Sequence, residues 1–330
     1  MRIVVAPDKF RGTIDAAGAA EQLAAGLSAS GHEVVVIPMA DGGEGTLEAL
    51  GGANRSTKVT GPLGDVVDAA WRMSSGTAVV EMARASGLAL VGGAEGNDAV
   101  AASTFGTGEL VLDAVEKGAR RVVVGLGGSA TTDGGLGALR AMYPVQRFRG
   151  VELVVACDVH TRFVDAARVF GPQKGAGAAQ LDLLERRLER LVDVYLEDYG
   201  VDVREVPGAG AAGGLAGGLL CAGATLVPGV ELIADLVGLP DAVEAADLVV
   251  TGEGLLDVES FDGKVVGGVT ELAADLGVPV VAVVGAVDHE GLDEVLPGGL
   301  EVVSLSDRFG RARSLSDVAG CLREVGAALP

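Results

Sequence analysis

Glycine-rich loops are the feature of this sequence with the clearest chemical meaning. There are five of them: residues 40–46, 106–108, 125–135, 207–214 and 251–254. Backbone N–H groups in such turns, together with the N-terminus of a following helix, can surround a phosphate group without a side chain in the way. Acidic residues lie in or just beyond three of the loops, namely Asp41, Glu44, Asp133, Glu253 and Asp257. The loops therefore predict a site for a phosphorylated anion and a metal ion.

These parts match the needs of phosphoryl transfer, which uses carboxylates to hold Mg²⁺, a cation over the transferring group and often a base for the attacking hydroxyl. For each acidic residue taken alone, a helix cap or Asx turn is the alternative. Five of them in glycine loops favour the chemical interpretation. The net charge of −21 would repel an anionic substrate, so its site must gather cations locally. Three of the few lysines lie in glycine-containing loops: Lys9, Lys174 and Lys264.

A nicotinamide-dependent reaction is the first alternative, because two loops imitate the dinucleotide-binding pattern. Gly208-x-Gly210-x-x-Gly213 matches the pattern, but a proline and a charged segment precede it where a buried strand is required. We interpret this match as accidental. The loop that starts at Gly125 does follow an apolar run, yet its hydroxyls and Asp133 suit a phosphate with its metal better than a bare pyrophosphate.

Other function classes find little support in the sequence. A Walker A motif is absent, because Gly263-Lys264 is followed by Val265, and the three histidines form no nucleophile motif. The acidic composition excludes a nucleic-acid partner, which would need a basic surface. No apolar run reaches the length of a membrane span, and no secretory signal is recognisable, so we expect a cytoplasmic protein. Three widely spaced cysteines indicate neither disulfides nor a zinc site.

The elements that position these loops follow an α/β pattern. Helical patterns cover Asp15–Ser28 and Leu181–Tyr199, and six short β-branched runs predict parallel strands, at Ile3–Ala6, Glu33–Ile37, Arg121–Gly125, Asp247–Thr251, Val280–Val284 and Glu301–Leu305. Closely spaced turns from Lys58 to Met82 are typical of antiparallel hairpins, and Glu152–Ala156 would be a further strand beside them. We predict a doubly wound parallel-sheet domain formed by residues 1–57, 104–146 and 245–330, and a smaller inserted mixed α/β domain formed by residues 58–103 and 147–244, with a cleft between them.

The loops, in their order along the chain, resemble those of the glycerate kinase family, the bacterial type that phosphorylates glycerate at its 2-hydroxyl. The matching segments span nearly the whole chain: residues 6–12, 40–46, 125–135, 170–175, 207–214 and 251–254, followed by Asp257 and Lys264. The resemblance implies a flavodoxin-like domain with a smaller inserted α/β domain, and an ATP- and Mg²⁺-dependent kinase that converts D-glycerate to phosphoglycerate, with 2-phosphoglycerate as the expected product. A monomer or homodimer is expected.

The resemblance and the residue types together give a set of candidate site residues. The catalytic candidates are Asp133, Asp41 and Lys264, and the substrate-binding candidates are Asp8, Lys9, Arg11 and Lys174. The candidates for binding phosphate or nucleotide are Gly42, Gly43, Gly127, Gly128, Ser129, Thr131, Gly210 and Gly213. The candidate metal ligands are Asp133, Glu253 and Asp257.

Some positions depart from the family pattern. Lys is frequent at the position of Arg11, Asn at that of Thr132 and Arg at that of Leu255, and a segment that relatives carry between Ala141 and Val151 is missing. Leu255 cannot replace a guanidinium that contacts an anion. The alternatives are therefore a paralogue for another hydroxy acid, and a binding or regulatory protein without turnover.

Overall fold

The computed structural model describes residues 1–10 and 12–330, and these form two compact units. Unit 1 consists of Met1–Asp41, Glu48–Gly51 and Gly229–Pro330, and unit 2 consists of Gly42–Leu47 and Gly52–Pro228. The predicted substrate-binding residue Arg11 lies outside the described residues.

The described residues contain eleven strands, numbered here in chain order: β1 (Arg2–Pro7), β2 (Glu33–Val36), β3 (Arg55–Thr60), β4 (Val66–Ser74), β5 (Thr77–Glu81), β6 (Arg121–Gly125), β7 (Glu152–Ala156), β8 (Thr225–Val227), β9 (Leu248–Leu256), β10 (Val280–Val287) and β11 (Glu301–Ser304). They also contain fifteen α-helices: α1 (Ala16–Ala29), α2 (Thr46–Ala49), α3 (Ala83–Ser86), α4 (Phe105–Glu116), α5 (Leu136–Ala141), α6 (Ala166–Phe170), α7 (Ala178–Tyr199), α8 (Ala211–Cys221), α9 (Gly229–Val237), α10 (Leu239–Glu244), α11 (Val265–Asp275), α12 (Leu292–Val295), α13 (Leu305–Phe309), α14 (Arg311–Ser316) and α15 (Val318–Ala328).

Unit 1 is built on a five-stranded, fully parallel sheet in the order β11-β10-β9-β1-β2. Counted within this unit alone, the order is 2-1-3-4-5, which is the flavodoxin-like order. Its strands are almost entirely apolar because helices cover both faces. Ile3 and Val5 pack towards α1 and α15, whereas Val4 and Ala6 pack towards α9, α10 and α11. The predicted doubly wound parallel domain is thereby confirmed.

Unit 2 contains a six-stranded mixed sheet in the order β3-β4-β5-β6-β7-β8. The pairs β3–β4 and β4–β5 are antiparallel, as the closely spaced turns predict, and β5 to β8 are parallel. The fully buried Trp71 lies in the core between this sheet and helices α4, α5 and α8. The long helix α7 packs by Leu184, Leu188 and Val192 in a second core.

The assignment of segments to the two units differs from the sequence prediction at β6 and its surroundings, at residues 42–47 and 52–57, and at residues 229–244. β6 pairs with β5 and β7, so residues 104–146 belong to the sheet of unit 2 and not to the parallel sheet of unit 1. Residues 229–244, in turn, belong to unit 1, and unit 2 is the larger of the two. A buried parallel strand has the same apolar pattern in any sheet, so the pattern alone could not identify its partners.

Two other sequence expectations can be compared with the fold. Within the described residues, no helix is both long enough and apolar enough to cross a membrane. The three cysteines are free thiols, as their spacing predicts.

Candidate active site

The predicted site residues fall into two groups, one in each unit, near the carboxyl ends of parallel strands. The group in unit 1 lies in the second half of β9 or follows β1 and β9, and consists of Asp8, Lys9, Glu253, Asp257 and Lys264. The group in unit 2 lies in the glycine loops and consists of Gly42, Gly43, Gly127, Gly128, Ser129, Thr131, Asp133, Lys174, Gly210 and Gly213. Asp41 is the last residue of unit 1 before the 42–47 loop.

In unit 1, the pairing of β1 with β9 brings the first motif beside Glu253. Pro7 is opposite Gly252, and the Asp8 N–H donates to the Gly252 carbonyl at 2.8 Å. The Thr251 hydroxyl donates to the carbonyl of Ala6 at 2.9 Å and fixes the same pair of strands. β1 and β9 are also the strands between which the chain order of the sheet reverses. In open α/β sheets, ligands bind outside the carboxyl ends of the strands at such a switch point.

Glu253 is a buried carboxylate with an incomplete set of partners. Its side-chain atom Oε1 has no hydrogen-bond partner among the described residues, and the residue is 8% exposed. Burial raises its pKa to about 7, and the charges of Asp8 and Asp257 act in the same direction, against a hydrogen bond from Ser260 and the charge of Lys264. A carboxyl group with a pKa near neutral pH can act as a general base in its ionised form.

Lys264 lies between two acidic residues at the start of α11. Its Nζ is 3.7 Å from Asp257 Oδ1 and 3.1 Å from Glu259 Oε2. Asp257 also caps the turn that follows β9, because its Oδ1 accepts hydrogen bonds from the backbone N–H and the hydroxyl of Ser260. Both the capping interpretation and the charged-site interpretation of Asp257 are therefore compatible with its geometry.

The acidic residues near Glu253 have the oxygen chemistry that a magnesium ion requires. No cluster of three or more His, Cys, Asp or Glu side chains suited to a metal occurs in the part of the chain that is described. Mg²⁺ in phosphoryl-transfer enzymes keeps water ligands and uses one or two carboxylates together with phosphate oxygens, so such a cluster is not required. The orphaned Oε1 of Glu253, close to Asp8 and Asp257, offers hard oxygen ligands of the right kind.

In unit 2, we number the glycine loops first (42–47), second (125–135) and third (207–214), and the first two are packed against each other. A Cβ atom on Gly125 would collide with the carbonyl of Gly42, and one on Gly127 would lie 2.9 Å from the Gly43 Cα and the Glu44 backbone nitrogen. Glycine is therefore required at Gly125 and Gly127 for close approach of the backbones. The structure thus brings together residues 42–47 and 125–128, which the sequence predicts to bind phosphate.

The next part of the second loop pairs with residues 86–88. The Leu88 N–H donates to the carbonyl of Gly128 at 2.8 Å, and the Ala130 N–H donates to the carbonyl of Ser86 at 3.0 Å. Gly128 stays exposed, whereas the hydroxyls of Thr131 and Thr132 are buried and have no hydrogen-bond partner among the described residues. The loop is therefore held by its backbone and presents Gly128 to solvent.

Asp133 is saturated by donors of the protein itself. Its Oδ2 accepts from the Thr104 N–H at 2.8 Å, the Thr104 hydroxyl at 2.9 Å and the Gly137 N–H at 3.2 Å. Its Oδ1 accepts from the Thr104 hydroxyl and from the Gly135 N–H, each at 3.1 Å. This geometry ties the loop to the first turns of α4 and α5. It favours a role in holding the loop over direct contact with a metal.

Lys174 is also directed into the protein. The residue is 1% exposed, and its Nζ donates to the carbonyl of Thr131 at 2.6 Å. Burial lowers its pKa to about 7, although the charge of Asp133 acts in the opposite direction. Asn97 joins the same segments, because its Nδ2 donates to the carbonyls of Ala130 and Lys174, each at 2.9 Å. In this arrangement the ammonium group of Lys174 supports the loop instead of facing solvent.

The third glycine loop packs on the second one. The Gly134 N–H donates to the carbonyl of Gly213 at 3.0 Å, and the Gly210 N–H donates to the carbonyl of Thr161 at 3.0 Å. Ala212, Gly213 and Gly214 have left-handed backbone conformations, with φ of 53°, 70° and 89°. No strand directly precedes this loop in the described part of the chain, so the dinucleotide-like pattern of glycines lacks the context that the pattern requires.

Sequence reasoning missed the buried residue Glu81. Glu81 ends β5, is 1% exposed and accepts hydrogen bonds from the backbone N–H groups of Gly45 and Leu47. Its other oxygen accepts from Arg84 Nε at 3.0 Å. The available signal was a glutamate at the end of an otherwise apolar strand, a position at which an unpaired charge would be costly.

Comparison with known proteins gives matches over nearly the full length. The model of the glycerate kinase family matches residues 3–143 and 144–325. A glycerate kinase of Halalkalibacterium halodurans is 38% identical over 364 residues, which covers 96% of each chain. A glycerate 2-kinase of Escherichia coli K12 is 36% identical over 376 residues, which covers 100% of this chain and 98% of the relative.

A solved structure gives the same result at the level of the fold. A crystal structure from Salmonella typhimurium LT2, described as a glycerate kinase 2, has a TM-score of 0.84 and 32% sequence identity, and the match covers 99% of this chain and 96% of the other. The two blocks of the family match meet between Tyr143 and Pro144, inside the stretch where the sequence indicates a missing segment.

Proposed function

Because the chain belongs to the glycerate kinase family, we propose that it transfers the γ-phosphoryl group of ATP to the 2-hydroxyl of D-glycerate, with 2-phosphoglycerate as product. The observation that carries the proposal is the similarity over full length to a relative named glycerate 2-kinase. In this proposal the reaction takes place in the cytoplasm, where ATP and small hydroxy acids are available.

The proposed phosphate-binding residues are the glycines of unit 2. Gly42, Gly43, Gly127 and Gly128, with Ser129, would surround the phosphates of ATP through backbone N–H groups, as glycine loops at strand ends do elsewhere. Asp133 and Lys174 would hold this loop in place without contacting the phosphates, because their hydrogen bonds fix residues 131–137. This assigns them a positioning role in place of the catalytic and substrate-binding roles expected from the sequence.

The proposed metal ligands are Glu253 and Asp257, with Asp8 near them. Held by these carboxylates, Mg²⁺ would supply positive charge that offsets the negative charge of the phosphoryl group during transfer. Lys264 would contact a phosphate oxygen, since its ammonium group already lies among acidic side chains at the start of a helix. Lys9 and Arg11 are proposed to bind the carboxylate of glycerate, and Asp41 is proposed as a base for its 2-hydroxyl.

The rival function is a protein that binds these ligands without turning them over, or a kinase for another hydroxy acid. Leu255 is the feature that favours it, because this half-exposed leucine stands where relatives often have an arginine. Loss of one cationic contact would weaken anion binding without changing the fold.

A coupled assay of ADP release tests the proposal. Purified protein with ATP, Mg²⁺ and D-glycerate should release ADP, and phosphorus NMR should show the resonance of 2-phosphoglycerate. L-glycerate, D-lactate and tartronate serve as controls for the position and stereochemistry of the hydroxyl. Absence of ADP release with D-glycerate, together with release in the presence of another hydroxy acid, would overturn the assignment of substrate. Binding of Mg²⁺-ATP without release in any mixture would support the rival.

A further inference from the structure

We propose that Glu81 is a positioning residue, which holds the 42–47 glycine loop in the geometry needed for nucleotide binding and turnover. The inference rests on the proposed function for its kinetic part. The carboxylate of Glu81 accepts hydrogen bonds from the backbone of the 42–47 loop. It therefore acts through this loop, which contains the proposed phosphate-binding residues Gly42 and Gly43.

The position of Glu81 in the sheet explains why its side chain can contact the 42–47 loop. β5 pairs in parallel with β6, and Glu81 lies opposite Gly125, the residue at which the second glycine loop begins. Its side chain lies beside the contact between the two glycine loops, and only 1% of the residue is exposed. A charge at such a depth is retained only when its oxygens are fully paired.

The two oxygens of Glu81 have separate partners. Oε1 accepts from the Gly45 N–H at 3.2 Å and from the Leu47 N–H at 2.9 Å, whereas Oε2 accepts from Arg84 Nε at 3.0 Å. One oxygen therefore holds the loop, and the other is neutralised by a guanidinium that is 39% exposed. This separation allows the two tasks to be tested independently.

The loop that Glu81 holds has an unusual place in the chain. Residues 42–47 belong to unit 2, although the residues on either side, Asp41 and Glu48, belong to unit 1. The two hydrogen bonds to Glu81 add to the glycine packing that holds this segment on unit 2. Gly42 and Gly43, the proposed phosphate-binding residues, are part of the same segment.

The test compares two neutral side chains of similar size at position 81. In a background with Arg84→Met, Glu81→Gln keeps an oxygen that can accept from Gly45 and Leu47, whereas Glu81→Leu does not. Neither double variant buries an unpaired charge. We expect the glutamine variant to keep kcat/KM for ATP within about threefold of the wild type, the baseline in which the Glu81 charge is paired with Arg84. We expect the leucine variant to lose a factor on the order of tenfold to a hundredfold, the scale caused by small displacements of ligand-binding groups.

A matched control separates positioning from general stability. Glu109 on α4 also accepts a backbone hydrogen bond with its carboxylate, from the Thr60 N–H at 2.6 Å at the end of β3, and it belongs neither to the 42–47 loop nor to the 125–135 loop. Glu109→Leu should lower the melting temperature to an extent similar to that of Glu81→Leu in Arg84→Met, while kcat and both KM values stay unchanged. Hydrogen exchange of the Gly45 and Leu47 amides should accelerate only in the leucine variant at position 81.

The outcomes divide clearly. Faster exchange at Gly45 and Leu47 with unchanged kcat/KM would overturn the positioning role and leave Glu81 as a structural residue. If the wild type has no activity on glycerate, the proposed function fails instead. Mg²⁺-ADP affinity without glycerate then decides the role of Glu81: a tenfold weaker affinity only in the leucine variant supports it, and equal affinities overturn it.

Discussion

The two units use their buried acidic groups differently. In unit 2, Asp133 and Glu81 accept hydrogen bonds on both carboxylate oxygens, and every donor is a part of the protein. In unit 1, Glu253 is nearly as buried, but its Oε1 has no partner among the described residues and its neighbours include two further acidic residues. The carboxylates of unit 2 thus hold a backbone, whereas in unit 1 one carboxylate oxygen is left without a donor among the described residues, and this is the basis of the metal-ligand role proposed for Glu253.

The largest effect is expected at Glu253. Glu253→Gln should lower kcat by about a hundredfold or more, because general base or metal-binding groups contribute on this scale. The melting temperature should stay the same or rise, since the substitution removes a buried charge near other acidic residues. Steady-state kinetics and thermal denaturation measure the two quantities. A kcat within a factor of two of the wild type would show that the orphaned oxygen has no chemical role.

Asp133→Asn should have the opposite pattern. The amide nitrogen replaces one of the two carboxylate oxygens and cannot accept a hydrogen bond. If it replaces Oδ2, the N–H groups of Thr104 and Gly137 lose their acceptor, and if it replaces Oδ1, the N–H group of Gly135 does. The free energy of unfolding should fall by about 2 kcal/mol, and the kcat of the folded fraction should fall much less than for Glu253→Gln. Unfolding in urea, paired with kinetics, checks this. Full stability with turnover abolished would restore the chemical role that the sequence alone suggests.

Lys174 should make stability depend on pH in a defined window. Its pKa is about 7 in the folded protein, against an ordinary value of 10.5. Between these values the unfolded chain binds one more proton than the folded chain, so the free energy of unfolding rises with pH by up to about 1.4 kcal/mol per pH unit. Below about pH 7 both forms are protonated and the contribution is constant.

Lys174→Met should remove that slope. Denaturant titrations at pH 7, 8 and 9 should show the wild type gaining stability relative to the variant as the pH rises. Lys117→Met, at a half-exposed lysine paired with Asp113, is the matched control. If the free energy of unfolding changes with pH in the same way for the wild type and Lys174→Met, the lowered pKa of Lys174 is contradicted.

The smallest effect on stability is expected at Lys264. Its partner Glu259 is 74% exposed, and ion pairs at such sites contribute about 0–1 kcal/mol. Lys264→Gln should therefore leave the melting temperature nearly unchanged but raise the KM for ATP several-fold, because a charge-assisted contact to phosphate is lost. A KM that stays constant would move the phosphate contact to another cation.

The sequence predicted the α/β architecture correctly, but it assigned strand β6 to the wrong sheet. The five parallel strands of unit 1 were expected near their observed positions, because uninterrupted β-branched runs mark strands that are covered on both faces. β6 was expected in the same sheet, since its Val122–Val124 core has no feature that distinguishes it from β9 or β10. Partner choice depends on contacts across the chain, which a local pattern does not contain.

For the candidate site, the sequence indicates which loops could bind phosphate but not the direction of their side chains. Asp133 and Lys174 were expected to face ligands, yet their partners Thr104 and Thr131 lie 29 and 43 positions away along the chain. Glu81 was missed for the same reason, because its partners are 34 and 36 positions away. Residue type and spacing indicate which loops can bind phosphate, whereas the role of each polar side chain depends on these distant donors and acceptors.

The order of strands in unit 1 also has a consequence for the synthesis of the chain. β1 lies between β2 and β9, with Ile3 opposite Leu248, so the centre of this sheet forms only after most of the chain has been made. Unit 2 ends at Pro228, so we expect it to fold on the ribosome before β9 has been made. During this time β1 and β2 lack their partner strand, and their apolar faces stay uncovered. A fragment that ends at Pro228 should therefore contain a protease-resistant unit 2 and an accessible, chaperone-binding N-terminal segment, and protection of residues 1–41 in that fragment would contradict this order of folding.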